Sequence, residues 1–337
     1  MGTLLVADGE AREALPYLER ASDLNPEDYE NACQLALAYA GAGQYERART
    51  EARILLARQD RRGQEQAALH HLLGGVEEKL GHPLDAVREY QRAAELNPTE
   101  TNLFDWGAEL LTHRAFEPAI EVFTEGNRQF SGSVRMLAGL GVAWYARGTY
   151  DQAAQRLCQA SDLDPSAPDP YLFLGKMQSV ETIQSECVVQ RLRRFAGLQP
   201  EDALANYYYA VSLWNWREGS GSAEGLAQVE LLLEKAVHLD PKLGAGYLQL
   251  GILYSERGDS SKAIAAYQKA IEANPDLEQA HFRLAQAYSR TGEKSKAQAE
   301  LQLYDQLSKK TAEQVERERR EIQQFVYTLR DQTSQPR

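Results

Sequence analysis

Chemistry in a protein needs convergent side chains, and this sequence offers few sets of them. His70 and His71 form its adjacent histidine pair. Neighbouring residues on a helix diverge by about 100°, so the two rings cannot readily share a metal ion and are expected as solvated or packed imidazoles. The 3 cysteines, Cys33, Cys158 and Cys187, are too few and too scattered for a disulfide framework. They fall near helical core or groove positions and are expected as small buried hydrophobes, not reactive thiols. Gly175-Lys176-Met177 lacks both the leading glycine and the hydroxyl residue of a phosphate loop. The run Gly219-Ser220-Gly221-Ser222-Ala223-Glu224-Gly225 misses the dinucleotide spacing and follows a helical pattern, not a strand. Neither a Gly-x-Ser-x-Gly elbow nor a His-Glu-x-x-His pair occurs. No catalytic residue, cofactor or metal site is therefore expected.

The bulk properties narrow the classes further. Of 337 residues, 43% are hydrophobic and 26% charged, a balance that argues against disorder over most of the length. The longest apolar candidate, residues 136–146, falls well short of the ~18 needed to span a bilayer. The start shows no basic region followed by an apolar core, and Val6 stands where a myristoylation motif wants Ser or Thr. A net charge of −12 argues against binding nucleic acid or acidic lipid by charge alone. Cysteines left unpaired point toward the cytoplasm.

What the sequence does hold is a clock. Alanines recur at 14, 48, 86, 119, 153, 263 and 297, and the steps 14 to 48, 119 to 153 and 263 to 297 are each 34 residues. Gly9 to Gly43, Gly258 to Gly292 and Pro241 to Pro275 keep the same 34-residue period. Residues 134–166 show the unit plainly. Leu137, Leu140-Gly141 and Trp144 lie at helical spacing, Gly148 suits a turn with positive φ, Ala153, Leu157 and Ala160 make a second stripe, and Asp164-Pro165 closes it. Residues 247–275 repeat the plan through Leu250-Gly251, Tyr254, Gly258, Ala263, Tyr267, Ala270 and Pro275. Residues 281–304 follow with Leu284-Ala285, Tyr288, Gly292, Ala297 and Leu301. Each unit is thus two antiparallel helices, with small residues at 141, 175, 251 and 285 where a larger side chain would overpack the crossing.

This pattern (large residue, Leu-Gly, Tyr, Gly, Ala, aromatic, Ala, Pro) resembles the tetratricopeptide repeat over nearly the whole chain. The resemblance implies an all-α fold, a right-handed α-solenoid of antiparallel helix pairs with a concave groove lined by the first helices. Residues 1–28 are expected as a partial first repeat, a second helix with the stub of a first. Residues 29–309 form the tandem array, 310–331 a C-terminal capping helix and 332–337 a disordered tail. The half-present first repeat is expected from a fragment cut inside a longer protein. Several units depart from the pattern. Asp60-Arg61-Arg62-Gly63 replaces a final proline, Arg114-Ala115 stands where a turn glycine is usual, and Val188 replaces an alanine in a unit whose turn is not evident. The unit over 203–241 carries a loop insertion at 219–222. Within 311–330, Val315, Ile322, Val326 and Leu329 share a stripe that covers the last repeat or pairs two chains.

Function is expected on the surface. The register assigns the groove to Val142, Tyr145, Leu172, Leu204, Tyr207, Val211, Trp214, Leu248, Ile252 and Phe282, with Cys33, Leu37, His71 and Glu78 on the same face toward the N-terminus. Such an apolar, aromatic surface suits an extended peptide or amphipathic helix of a partner protein. Relatives in the resembled family that grip acidic C-termini use lysines, asparagines and an arginine on consecutive first helices. Here those places hold Ala138, Val142, Leu172, Tyr207 and Val211, while Lys176 and Arg283 are repeats apart, so that clamp is not expected. The expected function is a non-catalytic protein-interaction scaffold. The alternatives are an accessory, substrate-recruiting segment of a larger enzyme or sensor, and self-association through the repeat ends or the last helix.

Overall fold

A computed structural model of the chain describes residues 2–58, 63–180, 185–216 and 223–333, with their side chains except at 179–180, at 223 and beyond 313. The insertion at 219–222, Asp60-Arg61-Arg62 and the tail from 334 lie outside the described residues. Among the described residues every regular element is an α-helix, and no helix is long and apolar enough to cross a membrane.

In chain order the helices are α1 (Gly2–Ala7), α2 (Ala11–Leu24), α3 (Tyr29–Gly41), α4 (Tyr45–Ala57), α5 (Gln64–Lys79), α6 (Pro83–Leu96), α7 (Glu100–Thr112), α8 (Phe116–Gln129) and α9 (Val134–Arg147). They continue as α10 (Tyr150–Leu163), α11 (Asp169–Val180), α12 (Glu186–Leu198), α13 (Ala203–Asn215), α14 (Ala223–Leu239), α15 (Gly244–Glu256), α16 (Ser260–Ala273), α17 (Glu278–Thr291) and α18 (Lys294–Thr333). Two compact units result, one holding Met1–Ala143 with the end of α18 from Ile322, the other Trp144–Glu321.

In the first unit the pairs α3/α4, α5/α6 and α7/α8 stack in tandem, each packing on the next through α4 with α5 and α6 with α7. The crossings close where the sequence omits a side chain. A Cβ on Gly74 would sit 2.7 Å from the Tyr90 ring, and one on Gly107 would sit 2.8 Å from the Phe123 ring. The turns need left-handed backbone, supplied by Gly43 (φ 79°) and Gly81 (φ 78°). The turn before α8 has no glycine, and Arg114 adopts φ 54° instead. The geometry of the repeat thus overrides the ordinary preference of a non-glycine residue.

In the second unit the pair α15/α16 follows the repeat closely. Gly251 lies under Tyr267, where a Cβ would meet the ring at 2.4 Å, and Gly292 ends α17 in left-handed conformation. The pair α11/α12 is different. A Cβ on Gly175 would come within 2.1 Å of Tyr208, a residue of α13 and not of α12. Position 191 offers arginine where three other units present Tyr90, Phe123 and Tyr267, and the small residue of α11 closes on the next repeat instead. Helix α12 is tied backward to α10. Cys158 and Cys187 are disulfide-bonded with Cα atoms 6.3 Å apart, Arg191 donates to both oxygens of Asp162 at 2.6 and 3.1 Å, and Arg194 donates to the Ser161 carbonyl at 2.6 Å.

Two expectations change here. Cys158 and Cys187 are partners and not separate thiols, because the second helices of consecutive repeats bring residues 29 apart to the same side of the unit. Cys33 is not part of this bridge. The capping helix is not a separate element: α18 runs from the last repeat through Ser308 and Thr311 without a break. No glycine or proline occurs between 294 and 333, so nothing interrupts the helix.

Candidate functional site

The first helices α3, α5 and α7 of three successive pairs frame a cavity of about 570 Å³ in the first unit. Its walls are Leu37 and Ala40 of α3, then Ala68, Leu72 and Gly75 of α5, with Tyr90 of α6 behind them. Space exists because Ala40, Ala68 and Gly75 project little or nothing into it. A Cβ on Gly75 would meet only the Tyr90 hydroxyl, at 3.4 Å. Leu37 is 42% exposed and thus open to a ligand. The volume falls in the range of pockets that take small molecules or a few peptide side chains.

Polar groups edge this apolar trough and are held in place. Nε2 of His71 lies 2.7 Å from Asp105 Oδ2, and the imidazole meets the Tyr90 ring edge-on with centroids 5.5 Å apart. Arg135 approaches the other oxygen of Asp105 at 3.9 Å while stacking over Phe104 at 4.1 Å. At the far edge Thr99 accepts a bond from the Asn102 backbone N–H at 3.2 Å, and the Asn102 amide donates to the Asn97 carbonyl at 2.8 Å. Burial, reinforced by the carboxylates of Glu78, Asp105 and Glu109, raises the Tyr90 pKa above its ordinary value. Its hydroxyl therefore stays neutral and able to donate. The trough presents shape, apolar area and a fixed polar rim. No nucleophile–base pair stands within it.

His70 and His71 point apart, as adjacent helical positions should. His70 Nδ1 meets Glu89 at 2.6 Å on α6, while His71 meets Asp105 on α7. A ligand-like trio does occur elsewhere: Glu77, His82 and Asp85 place one donor atom each within 4.8 Å of one another. The Glu77 carboxylate, fully buried, already accepts from Arg53 at 2.8 Å and lies 2.8 Å from His82 Nδ1 and 3.6 Å from Arg49. These groups compensate its charge, so the trio is an ion-pair cluster tying α4, α5 and α6 together.

The expected groove residues divide. Leu204 is 38% exposed, and Tyr145, Leu172, Trp214, Ile252 and Phe282 are half-buried, all in the second unit. Val142 is half-buried and belongs to the first unit. Tyr145 packs its ring 5.5 Å from Tyr150, and Phe282 packs 5.1 Å from Tyr304. Tyr207 and Val211 (5% exposed each) and Leu248 (4%) are core instead of surface. The first two join Ala210, Val229 and Leu233 beneath Trp214, and Leu248 joins Tyr267 and Leu284. Helical periodicity places all ten on similar faces, but it does not say how far the neighbouring repeat covers each face. Leu37 and His71, on the expected face toward the N-terminus, line the trough, whose presence their residue types do not announce. Its available signal was three small residues, Ala40, Ala68 and Gly75, in consecutive first helices.

Residues 33–101 and 104–168 match a family model described as tetratricopeptide repeat, and residues 253–292 match one described as TPR repeat. Among solved structures the chain is similar to the C-terminal part of a TPR repeat-containing protein from Cytophaga hutchinsonii. That likeness has 18% identity and a TM-score of 0.54, covering 84% of this chain and 98% of the other. A tetratricopeptide repeat protein from Parabacteroides merdae gives 13% identity and a TM-score of 0.51, covering 77% of this chain and 98% of its own. At such identities the likeness shows the fold alone. No curated protein matches the sequence.

Proposed function

Because this chain belongs to the tetratricopeptide repeat family, we propose that it is a non-catalytic scaffold which holds a peptide or helix of a partner protein against its first helices. The observation that carries this reading is the trough on α3, α5 and α7. It is apolar where side chains would anchor and edged by fixed polar groups where a peptide backbone would need partners. Its framework is preorganised by the His71–Asp105 and Asn102–Asn97 bonds, which lowers the ordering cost of binding. In the second unit Tyr145, Leu172, Leu204, Trp214, Ile252 and Phe282 form a further candidate face for the same kind of partner; in the first, Val142 is a separate candidate contact.

Peptides selected by display on the full chain supply the test. Leu37→Glu places a charge in the trough at an exposed position and is expected to weaken the selected peptides at least about tenfold, or 1.4 kcal/mol. Its thermal melt should stay near that of the wild type. Undiminished binding by Leu37→Glu would remove the trough from the account, and turnover of a small molecule by the purified chain would end the non-catalytic reading.

A further inference from the structure

A second opening lies in the other unit, among α14, α15 and α16, and its chemistry differs from that of the trough. Tyr247, Leu250 and Tyr254 of α15 form the floor of a cavity of about 480 Å³ between the second helices α14 and α16. Part of its architecture is a repeat feature. Tyr254 donates its hydroxyl to Glu234 at 3.2 Å and lies under the Lys262 ammonium at 5.2 Å. The same plan joins Tyr39 to Glu19 and Arg47, at 2.9 and 4.1 Å, and Tyr288 to Gln268 and Lys296, at 3.0 and 5.2 Å. That arrangement fixes consecutive pairs and by itself names no ligand.

What is added here is Lys269, whose ammonium stands 5.7 Å over the Tyr247 ring. Lys262 and Lys269 are seven residues apart on α16, which sets them on one face about 10 Å apart. Ala265 and Ala266 between them leave the floor open. Both lysines are exposed; the carboxylate nearest Lys262 is Asp259, at the outer limit of an ion pair, 4.0 Å. On the opposite wall the Glu234 carboxylate accepts from the Tyr254 hydroxyl and keeps its charge, one acidic group against two lysines. In a chain of net charge −12 this opening therefore shows an incoming ligand an aromatic floor and one cationic wall.

We propose that this opening is a second docking site, for an acidic peptide segment that sets an aromatic or aliphatic side chain on Tyr247 and Tyr254 and its carboxylates on Lys262 and Lys269. A segment in polyproline II conformation has three residues per turn and advances about 3.1 Å per residue, so carboxylates three residues apart share one face and span roughly the separation of the two ammoniums, with an apolar side chain between them. Two lysines against the single Glu234 carboxylate leave the lining net cationic, so charge complementarity selects this occupant over a basic or purely apolar segment, which would leave Lys269 without a counter-charge and Lys262 with Asp259 at 4.0 Å alone. The site is independent of the trough, and the chain would hold two different segments at once.

The experiment is a random 12-residue display selection on the full chain, counter-selected against the double variant Lys262→Glu/Lys269→Glu. The survivors are then titrated as fluorescein-labelled peptides. Peptides carrying acidic residues about an apolar one should emerge, bind at least tenfold more weakly to the double variant and to Lys262→Gln/Lys269→Gln, and lose affinity as salt rises. They should bind Gly75→Leu undiminished, which separates this site from the trough. Melts of both lysine variants should match the wild type because neither side chain is buried. The proposal is overturned if nothing is enriched over the double variant, if the enriched peptides lack acidic residues, or if inorganic phosphate alone displaces them. It is equally overturned if ultracentrifugation shows a lysine-dependent self-association, which would seat a second copy of the chain there instead.

Discussion

Gly175 on α11 lies beneath the ring of Tyr208 on α13 so closely that a Cβ at residue 175 would come within 2.1 Å of it. The contact joins first helices of neighbouring repeats, whereas Gly251 meets Tyr267 of its own second helix at 2.4 Å. Both positions tolerate no side chain. Gly175→Ala and Gly251→Ala are each expected to destabilise the second unit by about 1–3 kcal/mol through overpacking, read as a lowered urea midpoint. An unchanged midpoint for Gly175→Ala would mean that α11 does not close on α13.

The bridge between Cys158 and Cys187 ties α12 to α10 in the repeat whose small residue, Gly175, closes on the next repeat instead of on its own second helix. It closes a loop of 29 residues, for which chain entropy predicts a contribution of about 2–4 kcal/mol. Cys187→Ser, or dithiothreitol added to the wild type, should lower the melting temperature, and the reductant should have no further effect on the variant. Equal melts with and without reductant would remove the bridge from the stability of the unit.

Alkaline titration reads the Tyr39 clamp in the first unit. Burial, then the hydrogen bond to Glu19, raises the Tyr39 hydroxyl from 10.0 to about 12. The folded chain keeps this proton where the unfolded chain releases it. The contribution is therefore whole below pH 10 and is lost as pH rises through about 12. Tyr39→Phe has no such proton, so the stability of the wild type relative to this variant should fall across that window. A constant difference would contradict the buried, Glu19-bonded hydroxyl.

The fold was legible because a repeat writes its spacing many times. Gly74 under Tyr90, Gly107 under Phe123 and Gly251 under Tyr267 are one instruction repeated, and the positive φ of Gly43, Gly81 and Gly258 is another. Departures from the repeat were legible only as departures. Val188 signalled an irregular pair, but the tie of α12 to α10 needs two residues 29 apart to face each other, which spacing within one unit does not reveal. The site was the least legible part. Tyr207, Val211 and Leu248 carry the residue types of a binding surface and lie under the adjacent repeat, while the trough is made by residues that are nearly absent. A hole leaves little trace in a sequence written in side chains.

Gly75→Leu separates a trough on α3, α5 and α7 that binds a partner peptide from one that does not. The glycine lines the cavity, and a Cβ there meets nothing closer than the Tyr90 hydroxyl at 3.4 Å, so leucine fills the trough without invading the core. Replacing a mid-helix glycine also favours the helix by about 1 kcal/mol. Titration of a peptide selected on the wild type, with its melts run in parallel, is expected to show affinity for Gly75→Leu at least tenfold lower and a melting temperature equal or higher. Unchanged affinity in a variant that folds as stably as the wild type would contradict the account.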